Sequence, residues 1–275
     1  MAIASSAQIP AEAAIQPHNA KPASVWSSGG ARYDQISRGI ADSIEHCVLR
    51  LNPQPSERVL DVATGTGWTS RLVAARGARV IGVDIAGDLI AAARERAQME
   101  GLDIEYRVGD AENLPFADGE FDAVVSTCGI MFASRPEAAA AEVARVTRKG
   151  GRVALTTWLP DSNLFKMFLV MKPYMPPPPN PAPPSPFAWG APERVRELLG
   201  GAFDLRFERG TSFYREPSGE AAWNTFSTSY GPTKSLYESL GERGEEMHQA
   251  WLDAFGDERP FAQPRPYLLV SGRRR

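Results

Sequence analysis

Short apolar runs, each stopped by small or acidic residues and followed by a longer stretch of helical composition, recur along the chain. The first, Val59-Leu60-Asp61-Val62, is apolar apart from one acid and passes into Ala63-Thr64-Gly65-Thr66-Gly67. Glycine there favours a turn or a close approach over a continued strand. Trp68 to Ala75 then has helical content and stops at Gly77, a C-terminal stop signal. The unit repeats: Ala78 to Val83 is an apolar run ending at Asp84, and Asp88 to Met99 is alanine-rich and helical. Further strands are predicted at Ile104–Val108, Ala123–Ser126 and Arg152–Thr157, with a helix from Arg135 to Val146 between the last two. Ahead of all of these, Ile36, Ile40, Ile44, Val48 and Leu51 have helical spacing and predict one covering helix over Tyr33–Leu51. Alternation of this kind implies a parallel sheet with helices on both faces and a ligand crevice at the carboxyl edge of the strands.

Two segments stand outside that rhythm. Leu164 to Met171 is apolar and leads into Tyr174 to Phe187, whose prolines permit neither helix nor ladder and predict a stiff, extended run. Ser218 to Phe255 reads as two helical stretches carrying Trp223, Phe226, Tyr230, Tyr237 and Trp251. Together, over about residues 160–190 and 218–256, they predict a cap, with the proline-rich part as a preorganised wall. Met131, Phe165, Phe168, Tyr174, Trp189 and Trp223 are the candidate acceptor contacts. Residues 1–24, rich in alanine and proline, are expected to form a disordered arm ahead of one domain spanning 25–275.

The acids suggest a ligand. Asp84 ends the second strand about 20 residues beyond the glycine turn, the position from which a carboxylate accepts hydrogen bonds from a ribose diol. Gly65-x-Gly67-x-x-Ser70 also approximates a dinucleotide fingerprint. Asp61 before the loop, and Asp110 in Val108-Gly109-Asp110-Ala111-Glu112, would repel a pyrophosphate and suit a cationic ligand.

Taken in order, DVATGTG, GVDI, GDAENLPF, FDAVVSTCGIMF and RVTRKGGRVALTTW resemble the class I S-adenosylmethionine-dependent methyltransferases over about Val59 to Trp158, and most of all the C-methyltransferases of ubiquinone and menaquinone biosynthesis and related natural-product enzymes. The resemblance implies an α/β fold: a seven-stranded Rossmann-like sheet with helices on both faces, a sixth strand near Phe203–Tyr214 and an antiparallel seventh near Tyr267–Ser271, plus a capping insertion. It implies S-adenosylmethionine as cofactor. It puts Asp61, Ala63, Gly65 and Gly67 around the methionine moiety, Asp84 on the ribose, Asp110 and Ala111 at the adenine, and Ile85 or Leu89 on the adenine face. Thr127 and Cys128 would line the methionine side, and Tyr33 would fold over it.

Composition narrows the reading further. A net charge of −3 gives no general attraction to nucleic acid, and Arg273-Arg274-Arg275 reads as a solvated tail. Two cysteines, Cys47 and Cys128, offer neither a disulfide framework nor a metal cluster, which fits a reducing cytoplasm. The N-terminus lacks the pattern of a secretion signal or membrane anchor. Ser126-Thr127-Cys128-Gly129 stands where the exocyclic-amine nucleic-acid methylases carry an Asn/Asp-Pro-Pro-aromatic motif. The expected substrate is an uncharged or aromatic small molecule methylated at carbon, oxygen or nitrogen. His248 and Tyr33 are the candidate catalytic groups; His18, placed in the arm, and His46, on the covering helix, read as exposed or structural. An NAD-type oxidoreductase and a non-catalytic cofactor-binding protein are the alternatives.

Overall fold

The computed structural model describes residues 15–275 apart from 179 and 181. Among the described residues, three α-helices precede the first strand: α1 (Ala20–Ser27), α2 (Asp34–Arg38) and α3 (Ala41–Leu51). An alternating stretch follows: β1 (Arg58–Val62), α4 (Trp68–Ala74), β2 (Arg79–Asp84), α5 (Gly87–Met99), β3 (Glu105–Val108), β4 (Phe121–Thr127), α6 (Pro136–Val146) and β5 (Thr147–Trp158). The remainder comprises α7 (Asn163–Met171), α8 (Pro192–Leu199), β6 (Phe203–Glu216), α9 (Gly219–Ser229), α10 (Gly231–Ser239), α11 (Gly244–Phe255) and β7 (Phe261–Arg274).

The seven strands form one sheet in the order β3-β2-β1-β4-β5-β7-β6. The first five are parallel, and β7 runs antiparallel between β5 and β6. The central strands of the parallel part are apolar where helices cover both faces, with Val59, Leu60, Val62, Val124, Val125 and Leu155 buried, whereas β3 at the edge carries Glu105 and Arg107. β6 and β7 pair from Phe203↔Arg274 to Glu216↔Phe261, but β5 reaches only as far as Trp158↔Tyr267. The ribbon therefore projects past the carboxyl edge of the sheet, and its far end carries the cap helices α9 to α11.

Four sequence expectations change. Ser218 to Phe255, read as two helical stretches, forms three, α9 to α11, with breaks at Tyr230 and over residues 240–243. The single helix over Tyr33–Leu51 is broken: Tyr33 closes a 3₁₀ turn (Gly30–Tyr33), and α2 and α3 are separated at Gly39 and Ile40. A Cβ on Gly39 would lie 2.7 Å from the Tyr214 ring, so the interruption lets backbone lie flat on β6. Asp42 then anchors the start of α3 to that strand, accepting hydrogen bonds from Ser212 Oγ (2.5 Å) and the Phe213 amide (3.2 Å).

The arm expected over residues 1–24 is folded where it is described, as a 3₁₀ turn (Pro17–Asn19) leading into α1; the first fourteen positions lie outside the described residues. Asn19 is the pin. Its Nδ2 donates to Asp110 Oδ2 (2.9 Å), and its Oδ1 accepts from Ser134 Oγ (2.6 Å). His18 meets Glu112 at 2.7 Å.

The terminal arginines are not a solvated tail. Arg273 and Arg274 belong to β7, Arg274 Nε donates to the Ala144 carbonyl (3.0 Å), and Arg275 pairs with Asp204.

Candidate active site

One large cavity opens at the carboxyl edge, with about 1220 Å³ of empty space including its mouth. Its floor is the turn after β1. Ala63 (φ 56°) and Gly65 (φ 58°) are both left-handed there, and across from them Cys128 (φ 55°) is left-handed at the end of β4. For alanine and cysteine that conformation costs ~1–2 kcal/mol each. It brings the two loops together: a Cβ on Gly129 would lie 2.5 Å from that of Ala63.

Asp84 stands in the wall, buried, with Oδ2 accepting from the Gly65 amide (2.8 Å) and Oδ1 from the Ala86 amide (2.9 Å). Burial raises its pKa, and these amide donors partly offset the rise. Each carboxylate oxygen keeps a free lone pair for a further donor. Ile85 and Leu89 continue this wall, and Asp110 and Ala111 close the end beyond it. Asp110 is already engaged by Asn19 and the Gln16 amide at Oδ2 and by the Glu112 amide at Oδ1, so the N-terminal turn lies directly over that end.

Tyr33, Thr127 and Cys128 line the middle of the cavity. Thr127 and Thr69 share a hydrogen bond of 2.6 Å. Burial, with Asp84 and Cys128 nearby, pushes the Tyr33 hydroxyl well above the usual phenol range; burial also lifts the Cys128 thiol to about 12, against a hydrogen bond to Thr156. Both are neutral at physiological pH, so neither is an anionic nucleophile or base at rest.

Two of the residues expected around the cofactor lie elsewhere. Asp61 is beneath the loop, where Oδ2 accepts from Thr64 Oγ1 (2.6 Å) and Ser70 Oγ (2.7 Å) while Oδ1 has no partner among the described residues. Its burial raises the carboxyl to about 7. Gly67 faces away from the cavity: a Cβ there would meet Tyr106 Oη at 2.3 Å, so what the backbone approaches at this glycine is the β3 side chain.

The six expected acceptor contacts also fall outside the lining, several of them one layer back. Phe168 stacks behind Phe132 (6.3 Å between centroids), and Phe165 and Phe168 close on Phe187 (5.0 and 5.4 Å). Met131 Sδ accepts from the Trp158 amide (3.5 Å), and the Trp189 carbonyl accepts from Thr157 Oγ1 (2.9 Å). Tyr174 lies under the Arg243 guanidinium. Trp223 stacks on His248 (4.9 Å, 9°), which meets Glu220 and Glu245, so this histidine belongs to the cap interior and not to the cavity. These side chains bury their apolar surface in the core, and from the inserted segments it is Leu164, Phe226 and Tyr230 that reach the cavity.

The apolar wall is instead made by Ile36, Ile40, Phe132, Trp158, Phe226 and Tyr230. The isoleucine spacing was visible in the sequence as a helix face, but which face met a cavity was not. Tyr33 and Tyr230 stack at 6.3 Å, with Trp26 edge-on to both. Arg265, which no motif marked, completes this end.

A family described as "Methyltransferase domain" matches residues 60–155. An uncharacterized protein of Mycobacterium tuberculosis is 38% identical over 200 residues, covering 72% of each chain. The demethylmenaquinone methyltransferase of Thermus thermophilus is 40% identical over 144 residues, 50% of this chain and 65% of that one. In fold, the chain is similar to the YcgJ protein from Bacillus subtilis (TM-score 0.60, 20% identity, 85% and 98% of the two chains covered).

With the sheet order and the acid-lined loop cavity, these likenesses define a class I S-adenosylmethionine-dependent methyltransferase. The chain belongs to that family and is an enzyme with S-adenosylmethionine as cofactor, resembling the ubiquinone and menaquinone C-methyltransferases. The cavity fits the group: Asp84 has lone pairs to spare for a diol, and left-handed Ala63 and Gly65 leave the floor without bulk. The oxidoreductase and non-catalytic alternatives fall with this assignment.

Proposed function

We propose that the enzyme methylates a carbon, oxygen or nitrogen of a largely apolar or aromatic small molecule in the cytoplasm, and that nucleic acid is not its substrate. The observation that carries this reading is the continuity of one cavity with two characters. Asp84, the Ala63–Gly65 turn and Thr127 line one end, and Ile36, Ile40, Trp158, Phe226 and Tyr230 line the other. Because the two ends belong to one cavity, a donor bound at the first and an acceptor bound at the second would lie side by side.

When bound, S-adenosylmethionine supplies an activated methyl group on a sulfonium. In this reading Asp84 holds the ribose, the amides and small residues of the loop seat the methionine portion, and Ile85 and Leu89 flank the adenine with Asp110 and Ala111 at its edge. Trp158, Phe226 and the Tyr33–Tyr230 pair exclude water and orient the acceptor. Alignment of two bound reactants supplies up to about 7–11 kcal/mol of a barrier in favourable cases. No histidine among the described residues reaches the cavity: His18 is held by Glu112, His46 Nδ1 by Tyr267 Oη (2.9 Å), and His248 lies in the cap. An acceptor that is already nucleophilic suits such a site. Product mass spectrometry with isotopically labelled donor and a panel of quinols, phenols and heteroaromatics tests the reading. Methylation confined to polar or macromolecular acceptors would overturn it.

A further inference from the structure

The end of the cavity proposed for the acceptor holds a buried cation with no salt-bridge partner among the described residues. Arg265 lies in β7 opposite Ser212, two residues past the last pairing of β7 with β5, so it projects beyond the sheet edge into the cavity wall. It is 4% exposed. Its guanidinium lies 4.0 Å from the Tyr214 ring centroid and 5.2 Å from that of Phe226, and among the described residues Nε and Nη1 have no hydrogen-bond partner. The carboxylate of Glu216, close enough to favour the charged guanidinium, accepts through Oε1 from Tyr214 Oη (2.9 Å) and Thr225 Oγ1 (3.2 Å) and makes no salt bridge to Arg265.

Other arginines with little exposure are paired: Arg71 with Asp34 and Glu100, and Arg152 with Glu57. A second buried donor, the Tyr230 hydroxyl, is also unpartnered and lines the same cavity. Burial lowers the Arg265 pKa only to about 10, so the group is a cation at neutral pH. A desolvated charge and a desolvated hydroxyl, both unpaired, are costly to keep in a fold. They are retained where a ligand supplies the missing partner.

The position separates this pair from the methionine end of the cofactor. The order β4-β5-β7 puts Arg265 two strands from β4, roughly 10 Å at the usual strand spacing, on the side away from β1 and β2. Resting on the methyltransferase reading above, we infer that Arg265 and Tyr230 form an anion subsite and that the methyl acceptor is an apolar or aromatic molecule carrying one carboxylate. Guanidinium and carboxylate are matched in charge and planarity, and the aromatic rings around them exclude the water that would weaken the pair.

The test uses the full-length enzyme saturated with S-adenosylhomocysteine and three matched probe pairs: benzoate and benzamide, 1-naphthoate and 1-naphthamide, decanoate and decanamide. Binding is measured by calorimetry on the wild type, Arg265→Met and Tyr230→Phe. In the wild type at least one carboxylate should bind tenfold or more tighter than its amide. Arg265→Met should abolish that preference, Tyr230→Phe should reduce it severalfold, and both should keep S-adenosylhomocysteine affinity within threefold. Removing an unpaired buried cation should also leave the melting temperature of Arg265→Met equal to or above that of the wild type, whereas a purely structural arginine would lower it. The inference is overturned if no carboxylate is preferred by the wild type in any pair. It is equally overturned if Arg265→Met weakens S-adenosylhomocysteine tenfold, which would make the arginine a partner of the cofactor's own carboxylate. Failure of the wild type to bind S-adenosylhomocysteine would instead count against the methyltransferase reading.

Discussion

Replacing Asp84 by alanine tests the cofactor geometry most directly. The carboxylate lines the cavity and accepts from the Gly65 amide at Oδ2 and the Ala86 amide at Oδ1, and a carboxylate oxygen can accept more than one donor. In the proposed complex the two oxygens receive the ribose hydroxyls. Hydrogen bonds to a charged group contribute about 1.5–3 kcal/mol each, so losing two costs about 3–6 kcal/mol. Water entering the vacated space recovers part of this by accepting one hydroxyl, which favours the lower end. S-adenosylhomocysteine should therefore bind at least a hundredfold more weakly, since each 1.4 kcal/mol is tenfold.

The free protein should tolerate the change much better. Burial raises the Asp84 pKa, which means that the ionised group is on balance a cost to the fold despite its two amide donors. The same direction gives a pH signature in the wild type: Asp84 takes up its proton at a higher pH than an exposed aspartate, so ligand affinity should fall earlier on acidification. Calorimetric titration, with a melting curve on each sample, reads both effects. A folded Asp84→Ala variant that binds within threefold of the wild type would refute the assignment.

Gly65→Val puts a branched side chain at φ 58°, with its Cβ 3.4 Å from Tyr33 Cε1; it should lower the melting temperature and abolish S-adenosylhomocysteine binding, and intact binding would remove the loop from the site. For Asp61, whose folded carboxyl is raised to about 7, the stabilising contribution is full below the unfolded value of about 3.9 and is lost as pH rises through about 7. Asp61→Asn should accordingly gain on the wild type by about 2–3 kcal/mol between pH 5 and pH 8, and parallel denaturation profiles of the two proteins would contradict this. Exchanging Pro176 to Pro184 for glycine and serine of equal length should leave cofactor affinity and kcat/KM within threefold for the acceptor identified in the product screen, because no described residue of that stretch lines the cavity; a tenfold loss of kcat/KM would restore it as a substrate wall.

What the sequence by itself determined was local. The β1 run, the glycine turn, and Asp84 and Asp110 at strand ends are set by neighbours in the chain: a buried parallel strand must be apolar, and a turn that tight must be small. The end of the cavity proposed for the cofactor is therefore contiguous with motifs, and Ala63, Gly65, Asp84, Ile85, Leu89, Asp110, Ala111, Thr127 and Cys128 all line the cavity. Even there, spacing could not show that Gly67 answers to Tyr106 and Asp61 to Thr64 and Ser70, because those partners are set by how β3 and α4 pack.

The end proposed for the acceptor was decided by tertiary structure. It is assembled from α2, the 3₁₀ turn at Tyr33, the end of β5, α9 and β7, which meet only once the antiparallel ribbon has carried the cap over the sheet edge. Phe165, Phe168, Trp189 and Trp223 have the composition of a substrate wall but are absent from the cavity lining, Phe165 and Phe168 packing on Phe187 and Trp223 on Tyr237 and Trp251. An aromatic residue buried against core and one facing a ligand are alike in sequence. Arg265 sits in Gln263-Pro264-Arg265-Pro266, a stretch with no motif, and its meaning comes from what surrounds it: two aromatic rings, a cavity and, among the described residues, no salt-bridge partner.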